Sequence, residues 1–158
     1  QQLGYQAESG PWRDFYLSGA LELREGSPEE GINPALMKEV LLSTPVELFF
    51  DSMAVRLDAE KAAGKSMNIK VTFTDLNESY LLMLNRSVLR HRTTDADTPA
   101  DATLSITRPL FIDLAVKEAG LKELLFSGDV QLDGSKLDLL SFFSMLDNPE
   151  GKFAIVTP

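Results

Sequence analysis

The chain has 158 residues, of which 44% are hydrophobic and 25% charged, as expected for one globular domain with at most a short appendage. It has no cysteine and a single histidine, which excludes disulfides, thiolate zinc sites and a multi-histidine metal centre within this chain. Its formal net charge of −9 repels phosphate backbones and anionic membranes, so nucleic acid is not an expected partner. No apolar run approaches the roughly 20 residues of a membrane helix.

The first residues carry no signal-peptide pattern, and the chain opens on Gln1 rather than on methionine. We therefore expect a piece of a longer protein. The absence of cysteine is compatible both with the cytosol and with an oxidising compartment, so the compartment stays open.

Residues 1–25 are predicted to form a helical appendage, followed by a linker over residues 26–33 with two glycines and a proline. Three large residues recur at helical spacing in the appendage without an apolar partner in the same segment: Trp12, Tyr16 and Leu23. We expect these side chains to pack against a neighbouring part of the protein or a partner.

Two further helices are predicted before the first strand. One starts at Asn33 and Pro34, and the other is opened by a capping box over residues 44–47 and is expected to end at Gly64. The second of these helices carries one broad apolar stripe, made of Val46, Phe49, Phe50, Met53 and Leu57.

The hydrophobic period then changes from 3.6 to 2. Residues 67–74 alternate apolar and polar positions, which predicts a half-buried strand. Residues 79–85 are apolar on both faces, which indicates a strand that is covered on both sides or faces a cavity. Shorter strands are predicted over residues 88–92, 102–106 and 130–133.

A helix is predicted after the fourth strand, from Thr107 to Gly120, and a last helix after Gly134 and Ser135. The last helix has apolar residues around more than one stripe, which indicates burial or a ligand on its second side. Together these elements predict an α+β fold, a five-stranded mostly antiparallel sheet covered by helices on one face.

Polar side chains offer few candidates for catalysis. His91 needs a nucleophile and an orienting carboxylate to act as a base, and we favour a solvated histidine at a strand end. The basic run of Arg86, Arg90 and Arg92 fits an anion such as a sulfate head group, but we favour a charged strand face. The carboxylates of the loop over residues 95–101 lie in a polar segment and are not expected to do acid–base work.

The remaining candidate is an apolar binding site between the sheet and the helices. Methionine and phenylalanine supply adaptable apolar pockets, whereas the alternative for each residue is ordinary core. The predicted pocket residues are Phe49, Phe50, Met53, Leu82, Phe111, Leu114, Leu139, Phe142, Phe143 and Met145.

Two stretches of the sequence resemble a known family. Residues 3–24, LGYQAESGPWRDFYLSGALELR, resemble the end of the helical dimerisation domain of bacterial alkyl sulfatases of the metallo-β-lactamase superfamily. Residues 34–147 resemble the C-terminal domain of those enzymes, which has a sterol-carrier-protein-like fold. The resemblance rests on residues 67–73 and on YLLMLNRSVLRHR, ATLSITRPLFIDL and FSGDVQLDGSKLDLLSFFSMLD.

The resemblance implies a domain division and a function. Residues 1–25 are then a remnant of the preceding dimerisation domain, residues 26–33 a linker, and residues 34–158 the C-terminal domain. The family's catalytic zinc site belongs to an N-terminal domain with clustered histidines and aspartates, and that pattern is absent here. The resemblance therefore implies no catalysis, metal or cofactor for this chain itself.

What the resemblance implies instead is a module that helps recruit or hold the aliphatic chain of an alkyl sulfate or a lipid-like molecule. The implied partners are the rest of the parent hydrolase and a second copy in a homodimer. A bacterial parent that is periplasmic or secreted fits the resemblance, and a cytoplasmic one stays open. The alternative function is a solid-core lid or dimer-interaction domain without a pocket.

Overall fold

The computed structural model of the chain describes residues 1–27, 38–147 and 154–156. It divides into two compact units: Gln1–Pro34 with Pro149–Pro158, and Ala35–Asn148. The predicted helix start at Asn33 and Pro34, and most of the predicted linker, lie outside the described residues.

Residues 1–27, the described part of the first segment, contain two helices where the sequence predicted one. Helix α1 spans Gln2–Gln6 and helix α2 spans Gly10–Glu25, with Ser9 at the N-cap of α2. Trp12 and Leu23 are exposed, and Tyr16 is half-buried with its ring centroid 5.7 Å from that of Trp12. That these three side chains pack against a neighbour stays a prediction.

Residues 155 and 156 are held on α2 by a buried carboxylate. Glu22 Oε2 accepts a hydrogen bond from the backbone N–H of Ile155 at 2.6 Å, and Oε1 accepts one from Val156 at 3.2 Å. Gly19 permits this approach, because a Cβ at that position would lie 3.2 Å from Val156 Cγ1. Within the first unit, the C-terminal segment is thus part of the packing of α2.

The second unit is an α+β fold whose elements follow in the order α3 (Lys38–Ser43), α4 (Val46–Val55), β1 (Ser66–Phe73), β2 (Glu78–Asn85), β3 (Val88–Thr93), β4 (Ala102–Ile106), α5 (Arg108–Ala115), α6 (Leu121–Ser127), β5 (Gln131–Gly134) and α7 (Lys136–Ser144). The strands form one sheet in the order β3-β2-β1-β4-β5. Strands β1 and β4 are parallel, and the other three pairs are antiparallel. The predicted fold class is confirmed, and β4 lies parallel to β1 rather than beside β3.

Two helix ends differ from the prediction, and one helix was not predicted. Helix α4 ends at Val55 and not at Gly64, because Arg56 and Leu57 pair with the residues that follow α7. Helix α5 ends at Ala115, since Lys117 adopts a positive φ of 64°. Gly120 is instead the N-cap of α6, a short helix that the sequence analysis missed.

The turn between β2 and β3 is formed by Arg86 and Ser87, which both have positive φ, at 52° and 57°. A two-residue hairpin turn of this kind normally uses glycine or asparagine. Ser87 Oγ donates to the carbonyl of Ala59 at 3.0 Å, which helps to hold the turn in this conformation.

The two faces of the sheet are covered differently. Ile69, Val71 and Phe73 of β1 point into the hydrophobic core with the helices. On the opposite face Lys70 is buried, and its Nζ donates to the backbone carbonyls of Ala96 and Thr98. The polar loop therefore lies over Lys70, so both faces are covered at this point of the sheet.

Candidate apolar binding site

The ten predicted pocket residues meet in one cluster between the sheet and helices α4, α5 and α7. Nine of them are buried members of the hydrophobic core: Phe49, Phe50, Met53, Leu82, Phe111, Leu114, Leu139, Phe142 and Met145. Phe143 is half-buried and packs against the same core. The spacing of apolar residues along each helix determines which side chains meet, because it turns one face of each helix to the sheet.

Phe111 belongs to an aromatic group that spans four elements. Its ring centroid lies 5.4 Å from that of Phe73, 5.9 Å from Phe50 and 6.0 Å from both Phe49 and Phe143, all in edge-on geometry. Aromatic pairs at these distances and angles are favourable beyond the area they bury. The rings therefore tie β1, α4, α5 and α7 to one another.

This interior is closed in the present conformation. Five of the predicted pocket residues have 0% exposure, namely Phe50, Met53, Phe111, Leu139 and Met145. No space large enough for water therefore touches these five side chains. A ligand that entered the cluster would have to displace side chains or a covering helix, and the half-buried Phe143 lies at the boundary of the cluster.

One end of the cluster is fastened by Arg56, which follows α4. Its Nε donates to the carbonyl of Asp147 at 2.8 Å and its Nη2 to the carbonyl of Ala115 at 3.1 Å. Two backbone hydrogen bonds lie beside these contacts. The N–H of Asp58 donates to the carbonyl of Met145, and the N–H of Asp147 donates to the carbonyl of Arg56. Burial lowers the pKa of Arg56 below its usual value, and Asp147 opposes this shift. The ends of α4, α5 and α7 are thus joined by one guanidinium group.

At the other end of the cluster, polar contacts connect the short helix α3 to α5. Lys38 Nζ lies 2.6 Å from Asp113 Oδ1, and Arg108 Nη2 donates to the carbonyls of Leu41 and Thr44. Helix α3 contributes no fully buried residue, although Leu41 and Leu42 pack against the core. It is therefore a thin cover over this end of the cluster.

Two polar pairs fasten α4 to the sheet. The hydroxyl of Tyr80 lies 2.9 Å from Glu78 Oε2 and 3.1 Å from Glu47 Oε1. His91 Nε2 lies 2.8 Å from Asp51 Oδ1, and the imidazole ring centroid lies 5.6 Å from that of Phe50. The expectation of a solvated His91 is wrong, since its side chain is only 16% exposed. It packs against α4, which the sequence pattern of β3 does not reveal.

The Tyr80 contacts predict a dependence of stability on alkaline pH. Burial, followed by the hydrogen bonds to Glu78 and Glu47, raises the pKa of Tyr80 above its usual value of 10.0. The folded state then keeps a proton that the unfolded chain releases, so this contribution is complete below about pH 10 and is lost as the pH rises further. Urea unfolding of the wild type and Tyr80→Phe measures it. Above about pH 10, the free energy of unfolding of the wild type should fall more steeply with pH than that of Tyr80→Phe. An equal pH dependence of the two proteins would contradict this.

The other polar candidates do not converge on the cluster. Arg86, Arg90 and Arg92 are exposed, and Arg90 and Arg92 lie opposite Met83 and Leu81, which alternate with the core-facing residues of β2. Asp101 Oδ2 accepts a structural hydrogen bond from the N–H of Asn68 at 2.7 Å. Within residues 1–27, 38–147 and 154–156, no group of three or more histidine, cysteine or acidic residues could hold a metal ion. The same part of the chain contains no helix suited to crossing a membrane.

Arg56 and Arg108 are not among the residues predicted from the sequence. The sequence does contain an indication for Arg108, because a cation in the first turn of a helix interacts unfavourably with the helix dipole. Such a cation is expected to interact with a group outside its own helix. That partner is the carbonyl end of α3, where a cation is favourable. Arg56 had no such signal, since its acceptors lie 59 and 91 positions away in the chain.

The fold and the cluster define an α+β domain with an apolar cluster between its sheet and its helices. Residues 34–158 match the family described as alkyl sulfatase C-terminal. The chain therefore belongs to the alkyl sulfatase C-terminal family, as the resemblance of its motifs predicted.

Individual relatives agree with this assignment. A linear primary-alkylsulfatase of Pseudomonas is 39% identical over all of this chain, which spans 23% of that protein. The alkyl/aryl-sulfatase BDS1 of Saccharomyces cerevisiae is 35% identical, again over the full chain and 24% of the relative. The chain thus spans about a quarter of the length of the alkylsulfatases it matches.

Among solved structures, the stereoselective inverting sec-alkylsulfatase Pisa1 from Pseudomonas aligns with a TM-score of 0.79 and 36% identity, over 96% of this chain and 24% of that one. Sterol carrier protein 2 from Yarrowia lipolytica, in its apo form, aligns over 65% of this chain and 90% of its own with a TM-score of 0.48 and 18% identity.

Proposed function

We propose that the second unit is a non-catalytic domain that binds the aliphatic chain of an alkyl sulfate and so helps a parent alkylsulfatase to recruit or hold its substrate. The observation that carries the proposal is the single cluster of rings, methionines and leucines between the sheet and α4, α5 and α7. Its lining offers hydrophobic contact and no reacting group, which suits an alkyl chain.

The parent's chemistry is assigned to a region outside this chain. The relatives that match over the whole chain are named primary-alkyl and alkyl/aryl sulfatases, and this chain corresponds to about a quarter of each. A zinc ion, which the resemblance implies for the parent, finds no fitting donor set in the described residues. We therefore propose no metal or cofactor for this chain, and a homodimer stays a prediction.

The expected affinity is modest. Burying a ten-carbon chain gains at most about 8 kcal/mol, at roughly 0.8 kcal/mol per methylene. Lost freedom on association and the opening of a closed interior offset a large part of that gain. A dissociation constant between about 10 μM and 1 mM follows, because 1 mM corresponds to about 4 kcal/mol of binding free energy. Such an affinity suits a domain that gathers a surfactant and then releases it.

A second candidate function is a domain with a permanently filled core that shapes a neighbouring part of the parent. The five side chains with 0% exposure favour it, because they leave no space for a ligand in the closed conformation. The two functions differ in one respect that can be measured, namely whether the interior admits an alkyl chain.

Binding of decanol, measured by calorimetry below its solubility limit, tests the proposal. The wild type should bind saturably, and Phe143→Asp should weaken binding at least about tenfold, because it places a charge at the boundary of the cluster. Leu137→Asp is the matched control on the same helix, where the side chain is exposed, and should bind as the wild type does. If the wild type shows no saturable binding, the filled-core domain is the better account.

A further inference from the structure

Arg108 has an unusual environment for a cation at the edge of an apolar core. It is half-buried, and its Nη2 donates to the carbonyls of Leu41 and Thr44 at the end of α3. Within the described part of the chain, no carboxylate lies within ion-pair distance of its guanidinium. Asp75 is near, but its Oδ1 accepts from the backbone N–H of Arg108 at 3.0 Å and so caps α5. Among the described residues, the charge of Arg108 is thus compensated by carbonyl groups.

Arg108 lies on the same side of α5 as a ring of the apolar cluster. It begins α5, and Phe111, a member of the aromatic group, follows three positions later on the same helix. Residues three apart on a helix lie on the same side of it. A molecule that placed its alkyl chain against Phe111 would therefore bring a head group near Arg108.

The total charge makes such a cation necessary for an anionic ligand. The chain carries a net charge of −9, which repels an alkyl sulfate at long range. An apolar interior alone would then favour the neutral alcohol over the sulfate. A site that prefers the anion must place a positive group at the entrance, where a guanidinium binds sulfate or carboxylate oxygens well.

The cover over this entrance is the element that is easiest to remove. Helix α3 has six residues and none of them is fully buried, whereas α4 and α5 each contribute four buried residues. Moving α3 would break the Lys38–Asp113 pair and the contacts of Arg108 with Leu41 and Thr44. The same movement would uncover the core beneath Leu41 and Leu42.

We propose that Arg108 is the head-group ligand of an anionic amphiphile, an alkyl sulfate or a fatty carboxylate, whose chain enters beneath α3. The guanidinium exchanges the carbonyls of Leu41 and Thr44 for the oxygens of the head group. This inference rests on the proposed function, since it needs an alkyl chain in the cluster, and it adds a preference for anions and the residue that sets it.

The test compares three ten-carbon ligands: decyl sulfate, decanoate and decanol, each below its micelle or solubility limit. The wild type should bind the two anions about tenfold more tightly than decanol at low salt. Rising ionic strength should reduce this ratio of affinities. Arg108→Gln removes the charge but keeps hydrogen-bond donors, and it should abolish the preference. Arg92→Gln, which removes an exposed arginine of β3, should retain it.

The ratio of affinities is the readout, because a loosened α3 changes the binding of all three ligands together. An Arg108→Gln protein that still prefers the anions overturns the assignment, and so does a loss of the preference in Arg92→Gln alone. Equal binding of all three ligands by the wild type overturns the head-group site and leaves the proposed function standing. No binding of decanol or of either anion overturns both.

Discussion

Replacing Phe111 by alanine is expected to lower the free energy of unfolding by about 3–5 kcal/mol, the range for removing a large aromatic side chain from a core. The ring has 0% exposure and meets four other rings, from β1, α4 and α7. Its loss leaves a cavity among these elements, which cannot collapse without moving a whole helix. Urea unfolding followed by circular dichroism measures the change.

Leu48→Ala is the matched control for Phe111→Ala. Leu48 lies on α4, one of the helices that pack around Phe111, but its side chain is exposed. The substitution should therefore change the free energy of unfolding by no more than about 0.5 kcal/mol. A Phe111→Ala protein as stable as Leu48→Ala would contradict a stabilising role of the Phe111 ring in the core.

Replacing Arg56 by methionine is expected to lower the free energy of unfolding by about 1–3 kcal/mol, since the carbonyl of the buried Ala115 would be left without its donor, whereas the carbonyl of the exposed Asp147 can bond to water. Methionine keeps an unbranched, apolar stem but cannot donate to the carbonyls of Asp147 and Ala115. The ends of α4, α5 and α7 would then lose their common link. Hydrogen exchange should rise at these three ends before it rises in the sheet.

Lys61→Met provides the comparison for Arg56→Met. Lys61 also follows α4, but it forms an exposed ion pair with Asp58 at 2.8 Å, and such pairs contribute no more than about 1 kcal/mol. If the two substitutions had equal effects on the free energy of unfolding, Arg56 would not be the fastening that its hydrogen bonds indicate.

The sequence predicted the fold class and the membership of the cluster for a physical reason. Hydrophobic period reports which side of an element is buried, so the stripe from Val46 to Met53 and the alternation of β1 identified residues that do meet. Ser135 was also predicted as a helix start, and its Oγ accepts from the N–H of Asp138 at 3.1 Å. These features depend on neighbours in the chain, which the sequence displays directly.

Features that depend on distant parts of the chain were missed. The end of α4 at Val55 follows from pairing between Leu57 and Leu146, and the placement of β4 beside β1 follows from a crossover. Arg108 and Lys38 form their contacts across the gap between α3 and α5. The order of apolar and polar residues within one element does not predict such pairings, because tertiary packing determines them.

The most direct test of an alkyl chain in the cluster is the methyl NMR spectrum of the methionines during a decanol titration. Met53 and Met145 belong to the core, whereas Met83 alternates with the core-facing residues of β2 and is half-buried. Binding in the cluster should shift the methyl signals of Met53 and Met145, with contacts to the ligand chain, and leave Met83 unchanged. Signals of Met53 and Met145 that stay fixed while Met83 moves would contradict the account and direct the ligand to the opposite face of the sheet.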